Sequence, residues 1–276
     1  MNRLFFFCRK YRGFSAATFF LLVLLLLALF ADHLAPNDPL AAAMDQSFQP
    51  PSRQHLFGTD RLGRDVLSRV IAASRYSLGS TLLMVLTIFT IGTGLGLIAG
   101  YFGGWIDALI MRSADLMISF PGLVLAIAVA GILGPSLTNA VLAITAVSWS
   151  KYARLARSLV LQINDEPFIQ AAVITGTSNR KIVFKYLIPN ILPMMIVTAS
   201  ADVGSLMMEI AALSFLGFGA QAPLPEWGAM LNEGRSNLVN APWIMIFPGI
   251  SIVCCVAVFN SFGDELSNLM DPKKKT

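Results

Sequence analysis

SLGSTLLMVLTIFTIGTGLGLIAG, residues 77–100, contains no charged side chain. A helix rises 1.5 Å per residue, so this stretch is about 36 Å long, enough to cross a hydrocarbon core about 30 Å thick. A helix satisfies its own backbone hydrogen bonds, which lipid does not do. We read the stretch as a membrane-spanning helix. The glycines of GTGLGLIAGYFGG (92–104) lie on it or at its end. Without a strand and turn before them they do not form a phosphate loop, and we read them as sites of close helix packing.

The composition extends this reading to the whole chain. Of 276 residues, 55% are hydrophobic and 13% charged, and the mean hydropathy is +0.67. Water-soluble domains carry about 25% charged residues. Further apolar runs fall at 14–31, 116–134, 138–156, 189–215 and 244–263, giving about six spans in an all-α polytopic membrane protein with a single domain over 1–276. The third and fourth runs meet at a turn around Gly134 and Pro135, and Pro121 is placed to kink the third. The 14–31 run follows Arg3, Arg9, Lys10 and Arg12 and leads into Asp32 without a small-residue cleavage site, so it reads as a retained signal anchor. Cys8, Cys254 and Cys255 have no metal-ligand spacing, and His33 and His55 read as polar loop residues. No metal site and no catalytic group are expected.

Six spans put both termini on one side, and the positive-inside rule chooses which. With a cytoplasmic N-terminus, the inner pieces 1–13, 101–115, 151–188 and 264–276 hold 14 of the 20 Lys and Arg residues. Both termini are therefore expected in the cytoplasm, with 32–76 and 216–243 outside. Lys273, Lys274 and Lys275 read as inside-positive anchors. In the inner loop, Asp107, Arg112 and Asp115 can pair with each other or with a partner. Outside, EWGAMLNEGR (226–235) is amphipathic and reads equally as a contact surface or a solvated loop.

The longest inner piece ends in FIQAAVITGTSNRKIVFKYLIPN, residues 168–190. Phe168, Ala171, Ala172 and Thr175 can share one helical face. Gly176-Thr177-Ser178 breaks the helix, and Ser178 can cap a second one carrying Arg180, Lys181 and Lys185. Physically, this helix–break–helix fits a docking element or a basic loop held by anionic lipid equally well.

The stretch AAVITG, followed by nine residues and YLIP, resembles the EAA loop of bacterial ABC-importer permeases. FGTDRLGRDVLSRV (57–70), LSFLGFGAQAPLPEWGAML (213–231) and FNSFGDELSNLMDP (259–272) resemble stretches of the dipeptide, oligopeptide and nickel importers, "C" permease type. LTNAVLAITAVSW (137–149) and YARLARSLV (152–160) look most like the nickel-type subunit. The resemblance implies a five-helix permease unit over 77–263. It also implies a cytoplasmic coupling loop at 164–188 that docks on an ATPase through Gln170, Ala171, Ala172, Gly176, Arg180, Lys181 and Pro189. Gln170 stands where the family usually has Glu. The implied partners are a homologous "B" permease, two cytoplasmic ATPase subunits and an extracytoplasmic substrate-binding protein, in a bacterial inner membrane. ATP and Mg would sit on the ATPase subunits, since this chain has no P-loop of its own. No nucleic acid is implied, and membrane lipid surrounds the whole.

Within the fifth run, Thr198, Asp202, Ser205 and Glu209 recur at i, i+4, i+7 and i+11, a stripe about 60° wide. A carboxylate facing lipid costs about 2.5–3.5 kcal/mol, so the stripe faces protein or water. We read it as lining a translocation path, with a buried contact to the partner permease as the alternative. Acidic groups there favour cationic cargo, namely nickel, a nickel chelate or a peptide ammonium. The Met194, Met195, Met207 and Met208 patch reads as packing rather than soft-metal ligation. An ion-coupled secondary transporter, with Asp202 and Glu209 carrying protons, is the alternative of a different class. An intramembrane hydrolase finds only Phe262-Gly263-Asp264 in its favour, without a second aspartate in a suitable run.

Overall fold

The computed structural model describes residues 11–270. The arm expected at 1–13 lies outside the described residues up to residue 10, as do Lys273, Lys274 and Lys275. The helices are α1 (Arg12–Leu29), α2 (Val66–Phe102), α3 (Gly104–Ile118), α4 (Gly122–Leu133), α5 (Leu137–Asn164), α6 (Pro167–Ile174), α7 (Asn179–Phe215), α8 (Trp227–Gly234) and α9 (Trp243–Met270). Among the described residues there is no strand beyond an isolated bridge between Thr59 and Asp65.

Four helices, α1, α2, α7 and α9, are long and apolar enough to cross a membrane, and α3 with α4 makes a fifth if the pair counts as one span. That pair replaces the single third span, kinked at Pro121, expected at 116–134. Its two halves bend by 94° at Ser119-Phe120-Pro121. Proline lacks the backbone donor and disfavours helical geometry at the residue before it, which ends α3 at this point. The fourth expected span is part of α5, whose 28 residues carry Lys151, Arg154 and Arg157 and fall outside the apolar set. The 101–115 piece expected as a loop is mostly α3. Residues 66–76, expected in the loop after the first span, are the first three turns of α2.

α2 starts where Asp65 accepts hydrogen bonds from the backbone N–H (2.9 Å) and hydroxyl (2.6 Å) of Ser68, an N-cap typically worth about 1 kcal/mol. Its partner is α5, and the contact is as close as the glycines suggested. A Cβ on Gly92 would lie 2.5 Å from Tyr152 Cβ. On Gly96 it would lie 2.2 Å from the Ala153 carbonyl oxygen, and on Gly100 2.9 Å from Val160 Cβ. α7 and α9 cross as tightly, where a Cβ on Gly204 would be 2.5 Å from Asn260 Oδ1 and one on Gly263 2.9 Å from Ala201 Cα. α1 buries only Ala17 and Ala28 and turns Phe19, Phe20, Leu22 and Leu26 outward, as suits a helix in lipid.

At one end of the bundle, here called the loop side, residues 35–65 and α8 form a packed cap. Arg64 and Arg69 both bind Asp60 (2.7 and 2.6 Å) and Glu233 of α8 (2.9 and 2.6 Å). Arg69 is 1% exposed, so these bonds answer a charge that burial would otherwise penalise heavily. Gly63 has φ +73° and its Cα lies against the Ala43 carbonyl, leaving no room for a side chain. His55, expected as a polar loop residue, is buried, with Nδ1 3.0 Å from Asp65 and Nε2 3.1 Å from Gln46. The stretch 226–235 is no solvated loop either. Trp227, Gly228, Ala229 and Met230 are buried, and the carboxylate of Glu226, 1% exposed, caps α8 through the N–H groups of Gly228 and Ala229. The Ser77 hydroxyl and the Trp227 indole, bonded to the Val70 carbonyl at 3.0 Å, tie this cap to α2.

Candidate functional site

Midway along the bundle a cavity of about 300 Å³ opens between the α3/α4 break, α5 and α7. Met117, Ile118, Phe120 and Gly122 of the break form its apolar wall. Ser148, Lys151 and Tyr152 of α5 and Asp202, Ser205 and Glu209 of α7 form its polar wall. Three of the four stripe residues are thus brought together. Thr198 is not among the lining residues, and its hydroxyl donates to the Met194 carbonyl at 3.0 Å. Irregular backbone at membrane depth occurs where it lines a cavity or is covered by protein, and here the break lines a cavity.

Lys151 is the residue that reading the stripe alone missed. Its ammonium lies 2.8 Å from both carboxylate oxygens of Asp202. The Asp202 side chain is 16% exposed, while that of Lys151 is 62% exposed and reaches into the open part of the cavity. The wall is therefore not simply acidic, since one cation offsets one of two carboxylates. Glu209 is half-buried and forms no hydrogen bond or ion pair among the described residues. The Tyr152 ring is 1% exposed and packs edge-on to Phe89. Its hydroxyl sits beside Asp202 without a hydrogen bond of acceptable geometry.

Below Lys151, α5 continues the pattern. Arg157 binds both oxygens of Asp107 at 2.5 and 2.6 Å, and Arg154 binds Asp115. The α3 acids expected to pair with Arg112 or with a partner are thus held by α5. The signal was present in KYARLAR (151–157), whose basic residues recur every three positions, but it needed the facing helix to be interpreted.

The second candidate surface is the end opposite the loop side. α6 begins at Glu166-Pro167, with proline at a position that lacks an intrahelical partner in any case. The face expected to hold Phe168, Ala171, Ala172 and Thr175 divides. Ile169 and Ala172 are buried against the bundle, whereas Phe168, Gln170, Ala171, Val173 and Thr175 are exposed, and Ile174 is 85% exposed. Gly176 follows at φ +75°, a left-handed conformation that L side chains rarely adopt, and the Thr177 N–H closes the turn on the Ala172 carbonyl at 3.0 Å. Ser178 begins α7 without a side-chain cap bond, contrary to the capping expected of it. Arg180, Lys181, Phe184 and Pro189 are exposed, and the helix passes through a π turn at Val183–Leu187 before Pro189. An apolar tip ringed by bases is thus presented away from the bundle.

Residues 92–276 match the model of a family described as binding-protein-dependent transport system inner membrane component. The chain is 45% identical to the dipeptide transport system permease protein DppC of Alkalihalophilus pseudofirmus, over 91% of this chain and 83% of that protein. It is 42% identical to the glutathione transport system permease protein GsiD of Pectobacterium atrosepticum, covering 95% and 87%. With the nickel transport system permease protein NikC of Escherichia coli it shares 38% identity, covering 91% and 90%. Among solved structures, one of the MetNI methionine ABC transporter in inward-facing conformations aligns with TM-score 0.57 and 18% identity, over 73% of this chain and 96% of that one.

Proposed function

We infer the following from the premise that the chain belongs to the binding-protein-dependent transport system inner membrane component family and is a permease subunit of an ABC importer in a bacterial inner membrane. Its α6 is the coupling helix, with Gln170, Ala171, Ala172, Gly176, Arg180, Lys181 and Pro189 in or around the docking element. The cavity between the α3/α4 break, α5 and α7 is this subunit's share of the translocation path, and Asp202, Ser205 and Glu209 line it. Thr198 belongs to the same helix face one turn nearer α6. The α6 end and both termini face the cytoplasm, and the loop side faces outward toward a substrate-binding protein. A homologous permease supplies the other half of the path. Two ATPase subunits bind ATP and Mg and perform the hydrolysis.

One observation carries the coupling assignment: α6, a helix of eight residues and too short to span a membrane, leaves Phe168, Val173 and Ile174 exposed. An apolar tip of this kind is stable when it fills a groove in a partner. Ile174 makes no packing contribution to the bundle at 85% exposure, so Ile174→Glu spares the fold and tests docking. The variant is expected to keep its thermal stability, lose co-purification with the ATPase subunits and stop uptake. Unchanged co-purification and uptake would refute the assignment. Uptake that survives removal of the ATPase and collapses with the proton gradient would instead establish the ion-coupled reading.

For cargo we favour peptides over nickel. The dipeptide and glutathione permeases share more identity with this chain than the nickel permease does, and the exposed Lys151 ammonium gives the cavity a group suited to a carboxylate. Nickel held in an anionic chelate is the second reading. Among the described residues no cluster of three His, Cys, Asp or Glu could hold a metal. Uptake of labelled dipeptide measured against radioactive nickel in a deletion strain separates the two.

A further inference from the structure

We propose that Lys151 is a carboxylate-recognising group in the translocation cavity. Glu209 serves as the counterpart for a cationic group, so the cavity selects small solutes that carry both charges. This rests on the reading of the cavity as the path and of the cargo as peptide.

Four observations converge on it. First, the two ends of the Lys151–Asp202 pair are unequally placed. Asp202 is nearly covered, while Lys151 extends into the open with 62% of its side chain exposed. An ammonium has three donors, and its bonds to Asp202 Oδ1 and Oδ2 leave it able to receive a third oxygen from the cavity. Second, Glu209 lines the same cavity as a carboxylate without a hydrogen bond or ion-pair partner. The two stand on different helices, so the wall carries a fixed dipole rather than a uniform charge. Third, Tyr152, a lining residue, buries its hydroxyl beside Asp202, which helps cover the acid end of the pair and leaves the ammonium as the accessible end. Fourth, the wall made by the α3/α4 break, Met117, Ile118, Phe120 and Gly122, is apolar, and accepts a hydrocarbon side chain without discrimination. A volume of about 300 Å³ suits a small organic ion rather than a desolvated metal.

Binding in this cavity exchanges partners without creating a new charge. An incoming carboxylate joins Lys151 beside Asp202, and the cationic group of the same molecule meets Glu209. A solute with only the cationic group gains Glu209 and meets the repulsion of Lys151. A solute with only the carboxylate gains Lys151 and is repelled by Glu209. Selectivity in the path then repeats a requirement for both ends, independently of what the binding protein reads.

The test uses the complete transporter in proteoliposomes with saturating binding protein, and compares import of labelled Ala-Ala with that of its C-terminal amide. Lys151→Ala is expected to slow Ala-Ala about tenfold, the factor one charge-assisted hydrogen bond represents, while the amide, which meets only repulsion from Lys151, is not slowed. Lys151→Arg is expected to retain both rates. Since Lys151→Ala also strands Asp202, the double variant Lys151→Met/Asp202→Asn removes the pair as a unit, which leaves a fold largely unstrained. Recognition by Lys151 predicts that the double variant remains slow for Ala-Ala and normal for the amide. Equal slowing of acid and amide in both variants, or recovery of Ala-Ala import in the double variant, would overturn the proposal and leave the peptide reading standing. A wild-type transporter that imports neither peptide would overturn both.

Discussion

Replacing Gly96 by alanine is expected to separate α2 from α5. The new Cβ would stand 2.2 Å from the Ala153 carbonyl oxygen and 2.8 Å from Ala156 Cβ. A carbon and a carbonyl oxygen approach no closer than about 3.3 Å in ordinary contacts, so α2 and α5 must part by about 1 Å. The obstacle is backbone in the middle of a 28-residue helix and cannot swing aside. A radial gap of about 0.5–1 Å forfeits a quarter to a half of the dispersion energy of the contacts it opens. Overpacking of this kind costs about 1–3 kcal/mol, and the immovable carbonyl places Gly96→Ala at the upper end. Alanine recovers up to about 1 kcal/mol of helix propensity, leaving a net loss of about 2 kcal/mol. Gly94→Ala is the matched control, two residues along the same helix, exposed and with nothing within 4 Å of its new Cβ. It keeps the propensity gain and none of the clash. The two variants therefore differ by about 3 kcal/mol, or about 6–12 °C in thermal midpoint for a chain of this size. Thermal unfolding of the purified complex by circular dichroism measures the difference. Midpoints that move together, or a Gly96→Ala midpoint within about 1 °C of wild type, would refute the close-packing argument.

The loop-side cap yields two further expectations. Glu226→Ala strands the N–H groups of Gly228 and Ala229 and the Ser77 hydroxyl inside the cap, and is expected to cost about 2–3 kcal/mol in thermal or denaturant unfolding, with Glu226→Gln losing less. Asp65 gives a pH dependence. Burial pushes its carboxyl up, but hydrogen bonds from Ser68 and His55 outweigh burial and hold it below its ordinary value. A carboxyl depressed in the folded state contributes stability that is complete above the unfolded value of about 3.9 and is lost as pH falls through the folded one. Acid titration of the thermal midpoint is expected to show Asp65→Asn less stable than wild type at neutral pH, with the gap closing as the pH drops below about 4.

The sequence made some features legible and hid others for physical reasons. Long uncharged runs are a one-dimensional property, so α1, α2, α7 and α9 could be found from residue order alone. The glycines at 92, 96 and 100 revealed close packing because nothing else explains small residues on one face of a spanning helix. The stripe of Asp202, Ser205 and Glu209 was visible because period 3.6 survives projection onto a line. Lys151 was not, because its meaning lies in a partner 51 residues away on another helix. The same holds for Asp107 and Asp115, expected to pair within their own loop or with a partner subunit, whose observed partners Arg157 and Arg154 lie on α5. His55 read as a polar loop residue, and the 226–235 stretch equally as a contact surface or a solvated loop, because polar residues are normally at the surface. His55 is held by Asp65 and Gln46, and Glu233 of the 226–235 stretch joins the Asp60–Arg64–Arg69 network, whose members are up to 173 positions apart. The break before Pro121 was signalled, but proline announces a kink without giving its angle.

The tight crossing of α7 and α9 at Gly204 divides α7 unequally. From Asn179 to the crossing are 25 residues, and from the crossing to Phe215 are 11. If the crossing acts as a fulcrum, a sideways stroke delivered at the α6 end reaches the far end reversed in direction and reduced by about 2.3-fold, since a helix advances equally per residue. Both irregularities of the rod, the π turn at Val183–Leu187 and Pro193, belong to the long arm, while the short arm carrying Glu209 is unbroken. The irregular turns thus all lie on the α6 side of the crossing, and the cavity-lining residues Asp202, Ser205 and Glu209 sit on an unbroken helical stretch that spans it.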